Sequence, residues 1–379
     1  MTATRMVAGF MPLLDCATLA AAAECGFAAQ EGIDLRLVRE TSWANIRDRL
    51  IVGQFQAAHM LGPMAVASSL GVGHLQVPLV APLSLGLGGN AITASTRLAE
   101  SLRAAGAPRN LDPMAQGAAL RSVVRARVAT GQPPLVFAMV YPFSCHNYEL
   151  RYWLAASGID PDVEVRLVVI PPPLLVAALH EAQIDAFCVG EPWSSVAVAA
   201  GAGEIITTGG HIWQRSPEKV LGLRQDWAEA HPEVLAALLR AMTRAAAWCD
   251  DARNHDELAH LLSGPRYVGV PAELLRAALG GELGLRFGAP RTAVRDFIVF
   301  GRGGASYPWP SHALWFYRQM VRWKQVSGAP AAAALAKATY RPDLYRAAVS
   351  TLGVEVPDTE HRIEHFYDET VPAAHESGA

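Results

Sequence analysis

The sequence predicts an α/β protein built as two doubly wound lobes with a ligand cleft between them. Strand-like and helix-like segments alternate from the start through roughly the first 95 residues. The chain is 379 residues long, which is much for one core and comfortable for two. Hydrophobic residues make up 51% and charged residues 18%, which suits sheets covered on both faces and excludes a disordered chain.

The elements follow in order. Met6–Gly9 reads as a strand, and Asp15–Ala28 as a helix with Asp15 as its cap. Ile33–Val38 alternates as a strand, and Thr41-Ser42 caps a helix that runs to about Val52, where Gly53 ends it. Gln56–Met60 reads as a strand, Pro63–Leu70 as a helix with proline in its first turn, and Val77–Leu83 as a buried strand. Gly86–Asn90 is a glycine turn before the strand Ala91–Ser95. Leu98–Arg127 is helical with breaks at Pro108 and Pro113. Val136–Val140 leads into a helix over Ser144–Ser157, which Gly158 and Pro161 stop. Val165–Ile170, the helix Leu174–Ala182 and the strand Ile184–Val189 complete a second lobe. Beyond Gly201 the chain reads as increasingly helical, with helices at His231–Asp250, Asp256–Leu262, Pro271–Leu279 and Ser311–Lys324 and a solvated last dozen residues. The expected division is 1–95 and 198–379 for the first lobe and 96–197 for the second, with the return crossing near Glu191–Gly201. Clefts between such lobes close on small ligands by hinging.

Charge and composition narrow the function. The 32 basic and 35 acidic residues give a net charge of −3 with no basic stripe, so direct nucleic-acid contact is not expected. The first residues pass straight into a strand with no signal-peptide core, which leads us to expect a cytoplasmic protein. Ala17–Ala29, interrupted by Glu24 and Gly26, reads as a buried helix and not a membrane span. Cys16, Cys25, Cys145, Cys188 and Cys249 are scattered and contain no Cys-x-x-Cys pair, so no metal or disulfide framework is expected. No P-loop, zinc-protease, hydrolase or dinucleotide motif occurs, and no cofactor or catalytic residue is assigned.

Several residues suit an anion. His146 follows Ser144 at a helix start, where it either donates to an anion or caps its own loop. Trp43 opens another helix and is either an indole donor to an oxygen or a packing residue. Lys219, in the expected loop Ser216-Pro-Glu-Lys219, is one of three lysines and reads as a point charge for a monoanion or as a solvated side chain. Gly88, Gly89 and Asn90 either bring backbone amides to a ligand or form a tight turn. Cys145 beside His146 leaves a nucleophile open, and Glu191-Pro192-Trp193 is a hinge, a rim or a fixed turn. The aromatic run Tyr307–Tyr317 reads as packing over the first lobe or as a partner surface.

Six ordered motifs carry a resemblance over most of the chain. They are Ser-Trp-Ala-Asn-Ile-Arg-Asp from Ser42, Gly-Asn-Ala-Ile-Thr from Gly89, and His-Asn-x-x-x-Arg-Tyr-Trp-Leu-Ala-Ala-x-Gly-Ile from His146. Asp-Ala-Phe-Cys-Val-Gly-Glu-Pro-Trp from Asp185, Trp-Gln-x-x-Pro-Glu-Lys from Trp213 and Ser-His-Ala-Leu-Trp-Phe from Ser311 complete the set. Together they resemble the nitrate/bicarbonate-binding branch of type II periplasmic binding proteins. That resemblance implies the type II periplasmic-binding-protein fold, an oxyanion held by Trp43, His146, Lys219 and the glycine turn Gly88-Gly89-Asn90, and Gly88 at the position of a ligand-binding glutamine. Retention of Lys219 implies nitrate or nitrite over bicarbonate. Without an export signal, the chain resembles the cytoplasmic NasS-type nitrate/nitrite sensor, which implies an ANTAR-class (NasT-like) antiterminator as partner. The alternatives are the binding component of a nitrate transporter, or an enzyme on the same fold such as a pyrimidine-precursor synthase or a lyase. Lys219→Ala is expected to abolish anion-induced stabilisation with the fold intact.

Overall fold

The computed structural model describes residues 3–73, 75–362 and 364–370. Most of the segment expected to be a solvated tail, residues 371–379, lies outside those described.

Two five-stranded sheets form the two lobes. The first contains β1 (Thr4–Phe10), β2 (Ile33–Arg39), β3 (Ala57–Leu61), β4 (Leu79–Ser84) and β11 (Lys219–Arg224), in the order β2-β1-β3-β11-β4. β1 runs parallel to β2 in the register Thr4↔Ile33, and β11 enters antiparallel to both β3 and β4. Right-handed βα units require helices between parallel neighbours. The buried helix Ala17–Glu24 and the helix Trp43–Ile51 serve there.

A two-residue strand β5 (Leu87–Gly88) pairs outside both sheets with Ile298-Val299. The second sheet contains β6 (Asn90–Ser95), β7 (Leu135–Met139), β8 (Val165–Val169), β9 (Ala186–Gly190) and β10 (Gly203–Thr208), in the order β10-β6-β9-β7-β8. This moves the expected lobe boundaries. β6 pairs with β9 from Asn90↔Gly190 to Ala94↔Ala186 and with β10 at Gly203↔Ser95, so it belongs to the second lobe and not the first. The second lobe is therefore 90–208 rather than 96–197, and the return crossing is at 209–218 rather than Glu191–Gly201. β10 and β11 replace the helical character expected after Gly201.

Contacts on more than one side join the lobes. The Glu191 carbonyl at the end of β9 accepts from the Leu14 amide at 2.7 Å, and Trp193 Nε1 donates to the Pro12 carbonyl at 3.1 Å. The Glu-Pro-Trp turn thus fastens the loop after β1. On another side, the ring of Phe366 stacks on Tyr152 at 4.1 Å and on Trp213 at 4.8 Å, with Trp315 at 5.7 Å. Tyr152 lies on the second-lobe helix Cys145–Ala156 and Trp315 on the helix Pro310–Arg322, so the aromatic run packs across the seam. Among the described residues, no helix is long and apolar enough to cross a membrane.

Candidate functional site

Trp43 is placed by a cap. Ser42 is extended and its Oγ accepts from the Asn45 amide at 3.2 Å, which starts the helix at Trp43. The indole is 1% exposed and packs edge-on to His59, ring centroids 5.4 Å apart. His59 sits inside β3, and its Nδ1 accepts from the Met11 amide at 3.3 Å. The His59 proton is therefore on Nε2, which stands 3.0 Å from Asp15 Oδ1. Asp15 is not the helix cap the sequence suggested. Leu14–Cys16 is a 3₁₀ turn, and the helix begins at Ala17 without a side-chain cap.

The second lobe contributes the helix Cys145–Ala156, which Ser144 caps by accepting from the Asn147 amide at 3.1 Å. His146, fully buried, accepts at Nε2 from the Gly190 amide at 3.1 Å. Its proton is therefore on Nδ1, and that atom has no hydrogen-bond partner. Trp43 Nε1 has none either. Glu149 lies three residues beyond His146 on the same helix face. Asn90, the first residue of β6, donates from Nδ2 to Glu149 at 3.0 Å and to Glu218.

Lys219 opens β11 and is not in the loop the sequence suggested; its side chain is 1% exposed. Its Nζ contacts Asp15 Oδ2 at 2.7 Å, makes a very short contact with Glu218, and stands 6.0 Å from the Trp43 ring centre. A side chain at Gly190 would meet Asn90 Oδ1, Asp15 Oδ2 and Lys219 Nζ together, which places that glycine at the middle of the cluster.

Burial governs the protonation states here. It pushes the Glu218 carboxyl up to about 8 against the lowering effect of Lys219. Burial likewise lifts Glu149 and Glu191 to about 7, against the hydrogen bonds each carboxylate accepts. For Asp15, burial is outweighed by Lys219 and His59, and its carboxyl is held below the usual range. For Lys219, burial is outweighed by Asp15 and Glu218, and the ammonium stays charged. Burial drives His146 well below its ordinary value, with Lys219 adding to the effect, so the imidazole is neutral.

The structure thus brings Trp43, Asn90, His146 and Lys219 into one buried cluster. It does not bring in Gly88 or Gly89. The Gly88 amide donates to the Ser216 carbonyl at 2.8 Å and the Gly89 amide to the Phe297 carbonyl at 2.7 Å, so neither is free for a ligand. A Cβ on Gly88 would sit 2.4 Å from the Phe297 carbonyl oxygen, at φ +75°. Asn90, two residues on from Gly88, is the amide that reaches the cluster. Gly88→Gln is expected to cost about 2 kcal/mol or more through that collision and the left-handed backbone. Urea denaturation checks this, and an unchanged midpoint would count against the placement.

Asp15, His59, Glu149 and Glu218 were not singled out from sequence. The His146/Glu149 spacing of three on one helix and the adjacency of Glu218 to Lys219 were the available signals. Cys145 is buried, its Sγ donates to the Glu218 carbonyl at 3.4 Å, and burial pushes its thiol well up, so a thiolate nucleophile is disfavoured. Among the described residues, no group of three His, Cys, Asp or Glu is arranged to hold a metal ion. The arrangement offers one ammonium and two neutral ring donors, a set that suits an oxyanion.

Residues 2–263 match the NMT1-like family. The chain is 34% identical over 365 residues to the nitrate import ATP-binding protein NrtC of Synechocystis, covering 95% of this chain and 52% of that protein. The chain thus spans about half the length of that relative. It is also 34% identical over 374 residues to the nitrate/nitrite binding protein NrtA of Synechococcus elongatus, covering 95% of this chain and 81% of that one. The crystal structure of the periplasmic nitrate-binding protein NrtA from Synechocystis PCC 6803 superposes with a TM-score of 0.89 at 30% identity, covering 97% of this chain and 95% of that one.

Proposed function

The chain belongs to the NMT1-like family and, within it, to the nitrate/bicarbonate-binding branch, and from that premise we propose that it binds nitrate or nitrite between its lobes. One observation supports this above the others. Trp43 Nε1 and His146 Nδ1 are buried donors without acceptors, in the same cluster as the charged Lys219. A buried unsatisfied donor costs about 1–3 kcal/mol, and neither ring can relieve it by accepting. An oxyanion supplies acceptors only.

Calorimetry with nitrate, nitrite, bicarbonate and sulfate tests the proposal. Nitrate or nitrite is expected to bind, with Trp43→Phe about tenfold weaker and little changed in stability without anion. Absence of binding by either nitrogen oxyanion removes the proposal.

The finer reading is a cytoplasmic sensor that binds without turnover and controls an ANTAR-class antiterminator in response to the anion. The six-motif resemblance supports it, as does the net charge of −3, which leaves RNA contact to a partner. Linkage then requires anion and partner to favour different lobe arrangements. Size-exclusion chromatography of the two proteins is expected to give a complex that nitrate dissolves. The second reading is a transporter binding component, favoured by the importer and binding-protein names of the relatives. It predicts no such complex, and association of the anion-loaded chain with a membrane permease instead.

A further inference from the structure

The expected free lysine is not free: Asp15 and Glu218 already occupy two of the three Lys219 N–H donors. We propose that Glu218 sets the affinity of this site by competing with the anion for Lys219, so that wherever Glu218 is ionised each anion enters together with one proton. The proposal rests on the anion-binding reading above and concerns how that site is regulated.

The geometry makes the two ligands exclusive. Glu218 is 3% exposed, holds Lys219 through Oε2 and receives Asn90 Nδ2 at Oε1. The same Oε2 stands 3.8 Å from His146 Nε2, which cannot donate to it because it accepts from Gly190. A monoanion on Lys219 therefore faces an ionised Glu218 at the same ammonium, in a medium where repulsion is little screened. Protonation resolves the conflict. A neutral Glu218 releases Lys219 and leaves the local charge unchanged when the anion arrives. The proton comes from solvent or buffer, and no covalent bond other than O–H is made.

The groups facing Glu218 show which proton moves. At the start of β11, next to it in sequence, it faces Lys219, which stays charged. From the turn after β1 it faces Asp15, held ionised beside His59. The helix Cys145–Ala156 presents neutral His146, Glu149 and Cys145, whose thiol burial pushes up. Cys188 of β9 and Tyr340 are also pushed well up by burial and stay neutral. Only Glu218 and Glu149 among these titrate near neutrality, and only Glu218 touches Lys219. Glu191 titrates in the same range, but its carboxylate accepts from the Ser195 amide elsewhere.

The sign follows. Below about pH 7 the Glu218 carboxyl is mostly neutral and affinity is flat; above about pH 8 the carboxylate returns to Lys219 and affinity falls. Nitrate calorimetry on the whole chain, from about pH 6 to pH 9 in buffers of different ionisation heat, tests this. The expected result is about tenfold weaker binding per pH unit above pH 8, with close to one proton taken up per nitrate there. Glu218→Gln is expected to lose that slope and to bind nitrate more tightly than the unsubstituted chain at pH 9, whereas Glu149→Gln keeps a slope. Nitrate binding that ignores pH, or an unchanged slope in Glu218→Gln, overturns the proposal and leaves the anion-binding reading standing. No nitrate binding at any pH overturns both. Should Glu218→Gln fail to fold, the buffer-heat proton count on the unsubstituted chain still decides.

Discussion

Lys219→Ala is expected to lower stability by about 3–5 kcal/mol, read as a shift in the urea midpoint, and to abolish any nitrate-induced stabilisation. The sequence alone suggested loss of anion-induced stabilisation with the fold intact. The structure adds a stability cost, because the ammonium is 1% exposed and is the shared counter-ion of Asp15 and Glu218. Removing it leaves two carboxyl groups facing each other in a dry site. Asp15 has a folded-state value below its ordinary 3.8, so its contribution to stability is present above that value and fades as acid protonates it. In the variant this depression is lost and both carboxyl groups gain by being protonated. The destabilisation is therefore expected to be larger near pH 8 than near pH 5. Lys219→Met, which keeps the volume, should show the same dependence. A midpoint equal to that of the unsubstituted chain at both pH values would show that the ammonium is not buried between these groups.

Phe366→Ala should cost about as much, in the range of 3–5 kcal/mol usual for an aromatic side chain removed from a core. Phe366 is 3% exposed and lies against Tyr152, Trp213 and Trp315, which come from three separate parts of the chain. The Tyr152 hydroxyl also donates to Asp368 at 2.9 Å, and the Tyr367 amide to the Ile212 carbonyl at 2.9 Å. Loss of the ring removes the centre of that stack, and amide exchange in the helix Cys145–Ala156 should rise with it. Phe366→Leu should recover much of the loss. A change smaller than about 1 kcal/mol in Phe366→Ala would mean that the stack does not hold the lobes.

Much of this architecture was legible from local chemistry. Ser42 and Ser144 cap helices because each carries an oxygen one residue before a helical run, and both side chains accept the expected amide. β10 and β11 were not legible. Gly203–Thr208 and Lys219–Arg224 are buried almost throughout, so neither shows the alternation that marks a half-exposed strand. Gly222 further weakens the second signal. Lys219 stood out by scarcity, yet its secondary structure depends on β3 and β4, which are distant in sequence.

The site was legible in part for the same reason. Asn90 and His146 stand at the starts of elements that sequence patterns located or nearly located, whereas Lys219 opens a strand that they did not. His59 was hidden because it lies in an apolar five-residue strand, and only the fold brings it to Asp15. Asp15 was misread because a carboxylate before an alanine-rich run satisfies the pattern of a cap. Gly88 and Asn90 are two residues apart, and which one faces the cluster is fixed by the pairing of Gly88 with Ile298, far along the chain.

The strands of the second sheet occupy one unbroken stretch, 90–208, and the strands of the first sheet lie on either side of it in the chain. It is thus a cassette, and exchanging it between homologues would transplant Asn90, His146, Glu149 and Glu191 as a set. Asp15, Trp43, His59, Glu218 and Lys219 would stay behind in the recipient. Such a chimera keeps the cation and its rival carboxylates from one parent and takes the neutral imidazole and the amide from the other. The buried ammonium and the buried imidazole are therefore encoded in separable segments of the chain, open to recombination one at a time.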